Sequence, residues 1–167
     1  MWYEGTTAND LGLCAEKIVK ELWTEDFVTN ESGNWLDLHG VDGHWHHQPV
    51  QIKADTAIPD TGNFYKEMFK KTHGPNTSPS LKPWRISPCY AEYLIFVTDM
   101  KAYVISVDAF AREAIGKRLT QIKDTSLGIL VPMDTVDIHE ERDHEYHLPR
   151  NLKEQEGQEI STKGLLL

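Results

Sequence analysis

At 167 residues the chain has the length of one ordinary domain, because single cores run to roughly 100–200 residues. An apolar share of 40% with five Trp suffices for a packed core, and no stretch approaches the roughly 20 apolar residues of a spanning helix, so a membrane partner is not expected. The net charge of −9 weighs against nucleic acid, whose phosphates repel an acidic surface. Part of that excess is local, since Asp and Glu outnumber Lys and Arg between His139 and Glu159.

The N-terminal MWYEGTTAND has neither a basic region nor an apolar run, so no secretory leader is expected. Cys14 and Cys89 lack any Cys-x-x-Cys spacing, and a reduced pair in an intracellular, cytoplasmic protein is the expectation.

Along residues 7–23, Leu11, Cys14, Ala15, Ile18 and Leu22 recur at spacings of three and four, which predicts an amphipathic helix. Thr7 with Asp10 forms its Thr-x-x-Asp start. A short strand over Asp26–Thr29 follows, then a turn over Asn30–Gly33 and a second strand over Asn34–His39, in which Trp35 alternates with Asp37. Asp42-Gly43 is a turn signal, and Pro49–Ala54 reads as a third strand. Asn63–Lys71 suits a short basic helix with Tyr65, Met68 and Phe69. His73–Pro88, rich in Pro, Ser, Asn and Thr, reads as a long loop. Glu92–Thr98 and Ala102–Val107 are apolar runs joined by a tight Asp99-Met100-Lys101 turn, a hairpin. A helix from Asp108 to Leu119, capped by Asp108, and a last strand over Gly128–Met133 complete the pattern. Residues 139–167 read as a charged C-terminal arm, partly extended or disordered, behind a single domain over 1–138. The fold expected from this order is α/β, a mixed central sheet flanked by helices.

Gln51-x-Lys53 carries the chemistry. Residues two apart on a strand share a face, so Gln51 and Lys53 project together while Val50, Ile52 and Ala54 anchor the strand. Asp37, across a hairpin, can face the same way. A carboxylate, an amide oxygen and an ammonium would then converge. Oxygen ligands suit Mg²⁺, which keeps waters and accepts a phosphate. A bound metal polarises the phosphoryl group and acidifies a water, and a lysine stabilises the developing charge. Taken alone, Asp followed a dozen residues later by Gln-x-Lys is equally the pattern of a solvated strand face.

With its context the chain resembles the PD-(D/E)XK, or restriction-endonuclease-like, nuclease superfamily, nearest to archaeal Holliday-junction resolvases, over residues 9 to about 107. Gly12, Glu16, Val19 and Leu22 match the family's helix motif; Trp35-Leu36-Asp37-Leu38 matches its Asp-bearing strand; Val50-Gln51-Ile52-Lys53-Ala54 matches its Glu-x-Lys strand; Tyr93–Val107 looks similar to its apolar hairpin. The resemblance implies an αβββαβ core and a Mg²⁺- or Mn²⁺-dependent DNA endonuclease acting as a homodimer. Asp37 would be the principal metal ligand, Gln51 would fill the second acidic position, Glu16 would support the metal, and Lys53 would be the catalytic lysine. The acids of such a site also contribute to the negative charge. Gln51 departs from the pattern, because a neutral amide oxygen binds a cation less strongly than a carboxylate and cannot act as a base. That departure leaves open an inactive descendant that binds DNA or protein as a regulator.

Other residues carry two readings each. Asp42 has a family-like spacing to Gln51, yet its Asp-Gly turn explains it equally, and Asp55 is either a peripheral ligand or an exposed strand end. His39, His44, His46 and His47 offer a zinc site, a phosphate-reading loop or solvated hairpin residues. Lys66, Lys70, Lys71, Lys82 and Arg85, interleaved with Tyr65, Phe69 and Trp84, suit a nucleic-acid surface or a half-buried helix face.

Overall fold

The apolar stripe at the start of the chain folds as α1 (Ala8–Leu22), with Cys14, Ala15, Ile18 and Val19 buried along one side, as residues three and four apart must be. The computed structural model describes residues 8–30, 40–72, 80–83, 90–122, 126–148 and 158–159; the expected strand over 34–39 lies outside them. Burial pushes the Cys14 thiol pKa up, as in an inert core cysteine.

Three antiparallel strands follow: β1 (Phe27–Thr29), β2 (Gly43–Trp45) and β3 (Gln48–Ala54). The β2–β3 turn falls on His46-His47, with φ of 46° and 63°, the pair of left-handed residues that a tight two-residue hairpin demands. The Asp42-Gly43 turn expected from sequence is therefore displaced. Gly43 instead opens β2, where an added Cβ would lie 2.6 Å from both the Phe27 ring and the Val28 carbonyl oxygen; its lack of a side chain serves close packing.

The next sequence segment corrects the reading most. Asn63–Thr72 is not a helix but a ten-residue strand, β4, after a one-turn helix α2 (Ile58–Thr61). Phe64 and Lys66 are buried while Tyr65 and Glu67 are partly exposed, a period of two. Pairing with β9 (Ser126–Pro132) runs from Asn63 opposite Pro132 to Lys70 opposite Ser126, interrupted by a bulge at Met68. Inside the expected loop, β5 (Ser80–Pro83) pairs with β4. These strands join β8 (Thr120–Ile122) and β11 (Gln158–Glu159) in a five-stranded antiparallel sheet of order β11-β8-β9-β4-β5.

The hairpin β6 (Tyr93–Thr98) and β7 (Lys101–Ser106) is as expected. β6 lies parallel to β3, with Gln51 opposite Leu94 and Lys53 opposite Phe96. A parallel neighbour needs a crossover, and α2, β4 and β5 lie on it. The helix after β7, α3 (Val107–Ala114), is capped by Ser106, whose hydroxyl accepts the Ala109 N–H at 3.1 Å. Asp108 lies in the first turn, where a carboxylate favours the helix dipole, and the helix stops before Leu119.

The first part of the expected charged arm is structured. Glu140–Asp143 forms β10, the edge strand beside β7. Glu141, then Asp143, beside Lys101 hold that ammonium's pKa above its ordinary range. The buried His144 ring takes the Tyr146 N–H on Nδ1, so Nε2 donates to the Thr98 carbonyl oxygen at 2.8 Å. Leu148 is buried, and its N–H reaches Asp99. Polar edge strands are a common protection against strand addition. They leave no apolar alternation to read.

The protein is thus α/β with a mixed six-stranded sheet, β1-β2-β3-β6-β7-β10. Alternation gives that sheet two cores. Val50, Ile52, Ile95, Val97, Ala102 and Val104 face α1. Leu94, Phe96, Tyr103 and Ile105 pack with Phe64, Ile129 and Val131 of the second sheet and with α3. Between β4 and β9, a Cβ on Gly128 would stand 2.4 Å from the Lys66 carbonyl oxygen and from the Tyr65 ring. Gly128→Ala is expected to lower stability by about 1–3 kcal/mol through overpacking, seen as a reduced urea midpoint at unchanged slope.

Candidate functional site

On β3, Val50 and Ile52 enter the α1 core while Gln51 and Lys53 take the face toward the second sheet. The common face expected of Gln51 and Lys53 is present. Lys53 is half-buried, but Gln51 is only 2% exposed. Its side-chain oxygen accepts a hydrogen bond of 2.7 Å from Nζ of Lys66 on β4. A lysine can only donate, so the amide must turn its oxygen toward the ammonium.

Lys66 is itself 2% exposed. Lysines are almost never so buried unless paired. It is therefore not at the surface where a nucleic-acid contact would need it, because β4 buries Lys66 together with Phe64 between the sheets. Lys70, Lys71 and Lys82 lie on paired segments of β4 and β5, Lys70 opposite Lys82. Arg85 and Trp84 lie outside the described residues.

Asp42 precedes β2 and adjoins β3. Its N–H donates to the Val50 oxygen at 2.8 Å, although Gly43 already pairs with Val50, so two residues face one across the hairpin. Its carboxylate accepts the Ile52 N–H at 2.7 Å, within the peptide group that Gln51 and Ile52 share. The Asp42 carboxylate thus meets the β3 backbone next to Gln51. Asp37, expected there, lies outside the described residues. Glu16 is half-buried on α1, the helix covering the opposite face of the sheet. Asp55 is half-buried rather than an exposed strand end. It accepts the Ala57 N–H at 3.1 Å and the Tyr65 N–H at 3.3 Å, fastening β4 to the end of β3.

The histidines separate. His44 lies on β2, half-buried opposite Pro49, whereas His46 and His47 are exposed in the turn, with His46 3.5 Å from Asp26. His44 and His46 therefore do not share a strand face, and His39 lies outside the described residues. Nearby, Trp45 is buried with its indole N–H lacking a hydrogen-bond partner among the described residues, ringed edge-on by Trp23, Tyr93, His46 and His139.

Among the described residues, no group of three or more His, Cys, Asp or Glu is placed to hold a metal ion. The amide oxygen that the resemblance assigns to a metal holds an ammonium instead. The residues present do not fit a divalent ion bound through Gln51. Sequence reading named Lys66 as a surface cation and missed its burial against Gln51; the signal was the alternation Phe64-Lys66-Met68, hidden by an equally good helical spacing. Among the described residues, no helix is long and apolar enough to cross a membrane. No family model matches this chain, and no curated protein or solved structure matches it.

Proposed function

We propose that this protein is a DNA endonuclease of the restriction-endonuclease-like kind, hydrolysing phosphodiester bonds. The observation that carries the reading is the shared face of Gln51 and Lys53 on β3, with the Asp42 carboxylate at the adjoining peptide group. The order α1, β1, β2, β3, with β6 parallel to β3, supports the αβββαβ core. The departure is the crossover, where β4 stands in place of the short helix expected over Asn63–Lys71. In the proposed reaction a water adds to phosphorus as the opposite P–O bond breaks, and the departing oxygen gains a proton. The Lys53 ammonium stabilises the charge that builds on the phosphoryl oxygens. Any ion requirement falls to carboxylates, Asp42 and the proposed Asp37, rather than to Gln51. A homodimer would supply the two sites that cutting both strands calls for.

The test is cleavage of supercoiled plasmid and a synthetic four-way junction with Mg²⁺, Mn²⁺ or EDTA. Cutting that needs Mg²⁺ or Mn²⁺ and stops in EDTA is the expected result, and failure to cut any DNA form removes the reading.

One observation favours a second reading, a nuclease fold that binds without cutting. The buried Lys66–Gln51 bond fills a position that catalysis by two ions would need open. Gel-shift binding of the junction without cleavage under every metal condition would select it.

A further inference from the structure

We infer that the Lys66 ammonium takes the place of a divalent cation at Gln51, so that β4 builds into the fold the charge that a second ion would otherwise bring. The inference rests on the nuclease reading for the site's purpose but not for its test. Both partners are almost fully buried, and Nζ stands 2.7 Å from the amide oxygen, a distance at which no metal can share that lone pair without close cation–cation contact. The bond also explains the amide. A neutral oxygen satisfies an ammonium without the full desolvation of a second charge, whereas a glutamate would form a buried ion pair. The position of Lys66 is itself fixed, since Gly128 lets β9 approach the Lys66 carbonyl and Asp55 anchors the Tyr65 N–H one residue earlier. Lys66 is thus a positioning residue, orienting the amide and excluding a metal from it.

The experiment counts bound Mn²⁺ by electron paramagnetic resonance in DNA-free protein, for wild type, Gln51→Glu and Gln51→Glu/Lys66→Met. Thermal midpoints with and without Mn²⁺ are recorded in parallel. Gln51→Glu alone is expected to bind no more Mn²⁺ than wild type, because Lys66 pairs with the new carboxylate. The double variant is expected to gain one ion per chain, at least tenfold tighter than any Mn²⁺ bound by wild type, with a midpoint that rises on adding Mn²⁺. A gained ion in Gln51→Glu, or a folded double variant that gains none, overturns the inference. Should the double variant not fold, Gln51→Glu decides alone: an unchanged count supports the inference and a gained ion overturns it. The two readings separate cleanly. Protein that cuts DNA while Gln51→Glu gains an ion keeps the nuclease and loses the built-in cation. Protein that cuts nothing yet shows the expected counts does the reverse.

Discussion

Lys53→Ala is expected to slow DNA cleavage by about 10²–10³-fold, the usual effect of removing one group that stabilises transition-state charge. The expectation follows from its position. Lys53 shares the Gln51 face of β3 but is only half-buried where Gln51 is closed in, so it is less enclosed than Lys66. Lys66, two per cent exposed and bonded to Gln51, cannot replace it without leaving the interior. The fold should survive, because a partly exposed lysine contributes mostly stem packing and typical surface replacements move stability by about 0.5 kcal/mol. Lys53→Arg keeps the charge but spreads it over a wider planar group, and it should recover only part of the rate. The measurement is single-turnover cleavage with the thermal midpoint as a control. A Lys53→Ala protein that cuts as fast as wild type removes Lys53 from the chemistry, whatever else the fold binds.

The elements legible in the sequence are those whose apolar pattern is local and has one period. The stripe in α1 has no competing strand reading. Val50, Ile52 and Ala54 alternate with Gln51 and Lys53, and the apolar runs of β6 and β7 flank a tight turn. β4 failed because its residues carry two periods at once. Tyr65, Met68 and Phe69 fit a helix, whereas Phe64, Lys66 and Met68 fit a strand. Only pairing with β9, some sixty residues later, decides between them, and tertiary pairing overrides local propensity. The same non-local choice hid the site's most consequential contact, since a lysine in sequence is read as a surface charge. β10 was hidden differently, because its Glu-Glu-Arg-Asp sequence has no apolar face. Asp42 misled through the strength of Asp-Gly as a turn signal; the chain turned at two histidines instead.

Trp23→Ala should cost about 3–5 kcal/mol, the range for truncating a large buried aromatic, and should loosen a strand more than a hundred residues away. Trp23 is 1% exposed just beyond α1 and meets Trp45 edge-on, with ring centroids 6.1 Å apart. The Arg142 guanidinium lies 4.8 Å from the centre of its ring, and its indole N–H donates to Glu140 at 3.3 Å. Arg142 also bonds Glu140 at 2.8 Å and reaches the carbonyl oxygen of Leu22 at the end of α1. One side chain therefore fills the α1 core and clamps the edge strand β10 to the helix. The components should separate by size. Arg142→Ala removes a partly exposed cation–π contact worth about 0.5–1 kcal/mol. Trp23→Phe keeps most of the buried ring but loses the bond to Glu140, for about 1 kcal/mol. Urea unfolding ranks the three variants, and hydrogen exchange locates the damage. In Trp23→Ala, amides of residues 140–143 should exchange faster relative to those of 94–97, because an edge strand held on one side opens before the centre of its sheet. If exchange at 140–143 is unchanged while global stability falls, the clamp is not what holds β10, and its pairing with β7 alone carries it.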